Sequence, residues 1–165
     1  MSLYESSIPA FLQILGSLTA ILGKAEDYAA EKKIDPNVLL GSRLFPDMLP
    51  LTRQIQLVCD FAGKGAARLA GVEVPSTPDT ETSFAALKER LGNTIAYLKG
   101  FTPAQFEGAE SRDITFPAGP TPMTLNGQRF LSHFCLPNFY FHAATAHGIL
   151  RHNGVAIGKR DFMGV

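Results

Sequence analysis

A chain of 165 residues with 45% hydrophobic and 18% charged residues has the length and composition of one self-sufficient globular domain, able to bury a core without a metal or disulfide. Fifteen acids balance fifteen bases, which argues against nucleic acid as a partner, because phosphate binding needs a lysine and arginine excess on one face. The two cysteines, Cys59 and Cys135, have no CxxC spacing and lie in apolar helical patterns, so they read as small buried hydrophobes.

The N-terminus carries Glu5 and no basic run, unlike a secretory leader. The apolar stretch Ala10 to Leu22 is broken by Gln13, Gly16, Ser17 and Thr19 and falls short of a membrane span. A cytoplasmic protein with no membrane partner is expected. The first helix is predicted to open at Ser7 as N-cap with Pro9 in its first turn and to run to about Lys33. Ile8, Phe11, Leu12, Leu15, Leu18, Leu22 and Ala25 recur at steps of three and four, forming one apolar stripe. Residues 34 to 46 read as a loop, from Asp35-Pro36 and Gly41-Ser42, with Val38, Leu39 and Leu40 tucked against the helices.

A second helix is announced by Asp47 and Pro50, carries Leu51, Ile55, Val58, Ala62, Ala66 and Leu69, and stops at Gly71. Its small residues Gly63, Gly65, Ala66 and Ala67 suggest an exposed face for close approach of a second copy, and from that face together with the apolar first helix a homodimer is expected. The link from Val72 to Thr80 contains Pro75 and Pro78 and is long enough to cross over one end of a bundle. Phe84, Leu87, Leu91, Ile95 and Leu98 mark the third helix, which Gly100 ends. Thr102-Pro103 starts a short turn. Ile114-Thr115-Phe116 and Met123-Thr124-Leu125 alternate as strands of a small hairpin around Pro117 to Pro120, although Asn126-Gly127 could itself be the tight turn. The fourth helix begins near Gln128, bends at Pro137 and continues to Arg151, with Gly154 as its cap. The fold class is therefore all-α, a single domain over residues 1–165, with four amphipathic helices that can bury their stripes only against each other.

The polar residues concentrate on the last helix, in Pro137-Asn138-Phe139-Tyr140-Phe141-His142 and in His147 to Gly154. Asn138 and His142, four apart, share one helix face. His147 lies about 140° further round and does not pair with His142 as a ligand. Gln54 shares the inward stripe of Leu51, Val58 and Ala62 on the second helix. Gln54, Asn138 and His142 are therefore expected within hydrogen-bonding or near-ligand reach of one another. His133, His147 and His152 read as surface or structural residues, the charged tail Lys159-Arg160-Asp161 as a surface ion pair, and Asp60 and Glu89 as isolated acids.

This last helix resembles that of the DinB/YfiT-like metalloenzyme superfamily, in which a His-xxx-His pair joins a histidine from the second helix to hold a divalent metal. In that superfamily a glycine follows the second histidine about three turns later, as Gly154 follows His142 here. The matching metal positions are Asn138 and His142, with Gln54 as the third partner. Two of three histidines are thus replaced by amides, weak neutral ligands for zinc or nickel, and His142 would be the one strong ligand of any Zn or Ni ion. More specifically, Pro137 to His142, Ile149-Leu150-Arg151-His152-Asn153-Gly154 and Gly158-Lys159-Arg160-Asp161-Phe162 resemble a bacterial family of unknown function within that fold. The resemblance implies a DinB-like four-helix bundle with a crossover link, a hairpin before the last helix and a degenerate metal site. Two functions follow as expectations: a non-catalytic protein that binds a small ligand or partner in the reshaped pocket, or a weakly metal-dependent hydrolase or thiol transferase with His142 as ligand or general base. A buried polar network that merely fixes helix register accounts for the same residues.

Overall fold

The structure is a computed structural model and describes residues 2–165. It is mostly helical, with one small antiparallel sheet. In chain order the elements are α1 (Leu3–Lys32), α2 (Pro36–Leu40), α3 (Leu51–Ala70), α4 (Phe84–Lys99), a 3-10 turn (Pro103–Phe106), β1 (Asp113–Ala118), β2 (Thr121–Asn126), α5 (Gly127–Arg129), a π-helical segment (Phe130–Cys135), α6 (Leu136–His152) and α7 (Lys159–Met163).

Helix α1 starts five residues earlier than Ser7 because Ser2 and Glu5 form a reciprocal capping box: the Glu5 N–H donates to Ser2 Oγ at 3.2 Å and the Ser2 N–H donates to Glu5 Oε2 at 2.9 Å. Ser7 is buried inside the helix, its hydroxyl donating to the Leu3 carbonyl. Pro9 also lies inside, on the exposed side, where water can satisfy the Glu5 carbonyl it leaves without a partner. The expected stripe is the core face of α1, with Leu12 half-buried. By length and composition alone α1 could cross a membrane, with a window of mean hydropathy 1.4, since it extends well beyond Ala10–Leu22; half of that window is buried inside the protein.

The presumed loop after α1 contains the short helix α2, because Asp35 caps it, accepting the Asn37 N–H at 2.9 Å, and Pro36 pre-sets its first turn. Asp47 makes no cap; α3 begins from extended Pro50. Gly71 ends α3 in the left-handed conformation, at φ 70°, which favours glycine.

Helix α3 is central. Its Gln54 and Phe61 meet His142 and Phe134 respectively, so α6 runs antiparallel to it. Its Asp60 meets Arg90, and its Gly63 faces Thr94 and Tyr97, so α4 runs parallel to it. A parallel pair needs a link that returns along the helices, which is the task of residues 71–83. Helix α1 packs against α4, α3 and α6 and receives α7 on its outer side. There Asp161 pairs with Lys24 at 2.5 Å, and the Gln13 amide donates to the Met163 carbonyl at 2.7 Å.

The hairpin pairs Asp113 with Asn126 and Ala118 with Thr121, placing the turn at Gly119-Pro120. Asn126 is instead the N-cap of α5, accepting the Arg129 N–H. Ile114 and Phe116 point into the core while β2 is largely exposed. The small face of α3 is not exposed. Gly63, Gly65, Ala66 and Ala67 are all buried within the chain, and a Cβ on Gly65 would lie 2.4 Å from Cys135 Sγ. This α3 face, one of the two surfaces from which a dimer was expected, is therefore used internally, to bring α3 against α4 and the π segment.

Candidate functional site

The site is built where α6 faces α3. Proline at position 137 cannot donate a backbone hydrogen bond, and the chain meets this with a π-helical widening over Phe130–Cys135 immediately before it rather than with a break. Past the widening, α6 turns Phe139, His142, Ala143 and Ala146 inward. Opposite them Gln54 stands 1% exposed on the stripe of Leu51, Ile55 and Val58.

His142 is 9% exposed, and its Nδ1 lies 2.7 Å from Gln54 Oε1. The Gln54 amide nitrogen donates to the Leu49 carbonyl at 3.0 Å, which turns the amide oxygen toward the ring. An acceptor there fixes the proton on Nδ1 and leaves the lone pair on Nε2. The Phe61 ring stacks on the imidazole with centroids 5.6 Å apart and planes 14° apart, and Phe141 meets it edge-on at 5.2 Å. Burial, followed by the positive charge of Arg53, pulls the imidazole below its ordinary 6.5, so the ring is neutral at physiological pH. Arg53 is itself held by Gln56 Oε1 at 3.0 Å and by an ion pair with Asp79.

Asn138 is not joined to this pair. Its amide nitrogen donates to the Phe134 carbonyl at 2.7 Å, one turn back in the π segment, and among the described residues no hydrogen bond links it to His142 or Gln54. Its amide is thus spent on a carbonyl of its own helix, a local side-chain-to-backbone bond that competes with any bond across to α3. His133 bonds Ser132, His147 bonds the Gly158 carbonyl and packs on Phe162, and His152 is exposed.

Among the described residues no three His, Cys, Asp or Glu side chains are grouped so as to hold a metal ion. At the position implied by the resemblance, His142 Nε2 is the one imidazole nitrogen available, and the Gln54 oxygen is already engaged by Nδ1–H. This donor set does not fit a resident zinc or nickel site, which requires three or four strong protein ligands.

A second polar constellation was not visible in the sequence. Arg90, 5% exposed on α4, donates to Asp60 Oδ1 and Glu81 Oε1, each at 3.0 Å, and to the Pro78 carbonyl at 3.1 Å, and pairs with Asp79 at 3.0 Å. Asp60 is also paired with Lys64 at 2.9 Å, and Glu81 accepts from the Gln56 amide at 2.8 Å. Asp60, read as an isolated acid, is thus neutralised from two sides. The network pins the 71–83 link over a cavity of about 440 Å³ between α3 and α4, lined by Thr77, Thr80, Asn93, Thr94 and Tyr97 among others. The i, i+4 spacing of Asp60 and Lys64 was the one local signal available; the rest joins residues far apart in sequence. Cys59 borders this cavity, and burial pushes its thiol up to about 11 despite the bonds from Thr94 and Arg90. Burial raises Cys135 to about 12. Neither sulfur is a thiolate at neutral pH, so neither is an activated nucleophile.

The chain matches the family model described as a domain of unknown function, DUF1993, over residues 3–163. It is similar to the solved structure of a DinB family member protein from Shewanella denitrificans, with 43% identity, a TM-score of 0.93, and coverage of 99% of this chain and 92% of the other. No curated protein matches it. With the matched span running from the start of α1 to the end of α7, and with helices and hairpin superimposing on a DinB relative, the chain belongs to the DUF1993 family and has a DinB-like fold.

Proposed function

We propose that this protein is a non-catalytic, small-ligand-binding member of its family, built on a four-helix bundle of α1, α3, α4 and α6 with residues 71–83 as crossover, and acting in the cytoplasm as a homodimer. The observation that carries the ligand-binding reading is the Gln54–His142 pair. The ring is oriented and kept neutral, with Nε2 presented as an acceptor that has no hydrogen-bond partner among the described residues and is not sealed from solvent. Such a nitrogen receives a hydroxyl or amide N–H from a ligand, while the stacked Phe61 offers an apolar wall.

Phe141, which meets the imidazole edge-on, is 56% exposed, and Leu49, whose carbonyl holds the Gln54 amide, is 43% exposed. They support an entrance for an apolar ligand and a patch that a second copy could cover. The alternative is a weakly metal-dependent hydrolase or thiol transferase in which His142 acts as ligand or as general base toward water or a substrate thiol, favoured by the same lone pair. Elemental analysis of protein purified without a histidine tag, combined with imidazole NMR of His142 during ligand screening, tests the proposal. Metal-free protein whose His142 Nε2 resonance moves on ligand binding is expected. A stoichiometric metal that is lost in His142→Ala would overturn it in favour of the metalloenzyme.

A further inference from the structure

Another cavity, of about 220 Å³, lies on the other flank of α3, between that helix, β1 and the π segment. Its walls are aromatic. Phe116 packs against Phe134 at 4.3 Å and against Phe130 at 5.0 Å, and Phe61 meets Phe134 edge-on at 5.9 Å. At about 30 Å³ per water, the space holds roughly seven water-sized groups, enough for one ring with a short polar head and too little for a nucleotide or a long chain.

The charges lining it are Asp60, Lys64 and Arg68. Both Asp60 oxygens are engaged, one by Arg90 and one by Lys64, which removes that acid as a repulsive group. Arg68 is different. It is partly buried beside the aromatic wall, yet among the described residues its guanidinium has no hydrogen bond and no carboxylate within ion-pair distance. Its burial lowers the guanidinium's proton affinity, as expected for a cation that has lost water without gaining a counter-ion. A guanidinium offers a planar fork of donors matched to a carboxylate, and an aromatic wall beside it accepts a flat apolar body.

We infer that the cavity between α3, β1 and the π segment binds a small aromatic monocarboxylate, with the carboxylate on Arg68 and the ring against Phe61, Phe116 and Phe134. The site is separate from the His142 acceptor, sharing only Phe61 with it, and does not depend on how that acceptor is used. Lys64, one turn before Arg68, is held by Asp60, which leaves Arg68 as the cation at the rim without a carboxylate partner among the described residues.

Calorimetric and NMR titration of the full chain with benzoate tests the assignment, with benzamide as a neutral probe of the same shape. Saturable benzoate binding is expected, with the Arg68 Nε–H and the ring signals of Phe116 and Phe134 shifting together. Arg68→Met keeps the apolar stem and should weaken benzoate by about tenfold to hundredfold, the range for one charge-assisted contact, while leaving benzamide unchanged. Arg68→Lys should fall between the two. No saturable benzoate binding at low salt, equal affinity for benzoate and benzamide, or benzoate binding that Arg68→Met does not weaken would each overturn the inference.

Discussion

Two glycines on α3, two residues apart, should respond in opposite ways to the same substitution. At Gly65 an added methyl lies 2.4 Å from Cys135 Sγ, well inside contact distance, and the sulfur cannot swing away freely because its thiol donates to the Phe61 carbonyl at 3.2 Å. Overpacking a closed core costs about 1–3 kcal/mol, and giving up the thiol bond about 1 kcal/mol more. The helix propensity gained from alanine offsets about 1 kcal/mol. Gly65→Ala is therefore expected to lose about 1–3 kcal/mol, lowering Tm by roughly 2–12 °C for a domain of this size. At Gly63 the same methyl meets Tyr97 at 3.9 Å and Thr94 at 4.0 Å, ordinary contacts, so only the propensity gain remains. Gly63→Ala should be stabilised by about 1 kcal/mol. Urea and thermal unfolding of both variants, together with Cys135→Ala and the Gly65→Ala/Cys135→Ala double variant, isolate the contact. Removing the sulfur makes room for the new methyl, so the double variant should be more stable than the sum of the single losses by about 1 kcal/mol or more. The packing argument fails if Gly65→Ala unfolds like the parent protein, or if the two single losses simply add.

Other expectations follow from the polar groups. Gln54→Leu leaves the His142 Nδ1–H buried without an acceptor and should cost about 1–3 kcal/mol in urea unfolding. Because the folded imidazole titrates below 6.5, the unfolded chain binds more protons between that folded value and 6.5; stability should rise with pH through this window and erode as pH falls through it. Gln54→Glu places a carboxylate on the ring and raises its proton affinity, so its urea midpoint should fall less on acidification than that of the parent protein. Arg90→Ala leaves Asp60, Asp79 and Glu81 without their shared cation; breaking a buried pair costs about 3–5 kcal/mol, with the lower end expected here because Lys64 and Arg53 remain on two of the acids. The same variant should expose the 71–83 link to limited proteolysis, and an unchanged cleavage pattern would show that the network does not pin it. Cys59 and Cys135, both buried and raised well above neutral pH, should resist alkylation in the folded protein and react fully in denaturant; rapid labelling of the native chain would contradict their placement.

The four long helices were legible because each carries its own apolar repeat, and a repeat of three and four residues is a local property of the chain. The stripe from Leu51 to Leu69 and that from Phe84 to Leu98 are the core faces of α3 and α4, with Ile95 half-buried. The hairpin was legible from its alternation, while its turn was settled at Gly119-Pro120 by register. The α1 start was misplaced although its Ser2–Glu5 box is local, because Ser7 and Pro9 offered a competing start signal. The meeting of Gln54 with His142 followed from two inward stripes on helices that had to face each other.

Tertiary structure decided what depends on distance across the fold. Asn138 stands on the same helix as His142, but its amide takes the Phe134 carbonyl of the π segment as its partner, a choice that the spacing of the two residues does not report. The glycines and alanines of α3 look alike as an exposed or a buried face; only the positions of Cys135, Thr94 and Tyr97 show that the face is filled from within the chain. Arg90 finds Asp60, Asp79 and Glu81, and among the described residues Arg68 finds no carboxylate, a difference set by which side chains the parallel α3–α4 pair and the hairpin bring near. Hydrophobic periodicity is written residue by residue and survives in the sequence, whereas the partner of a buried charge is chosen by the packing of whole helices.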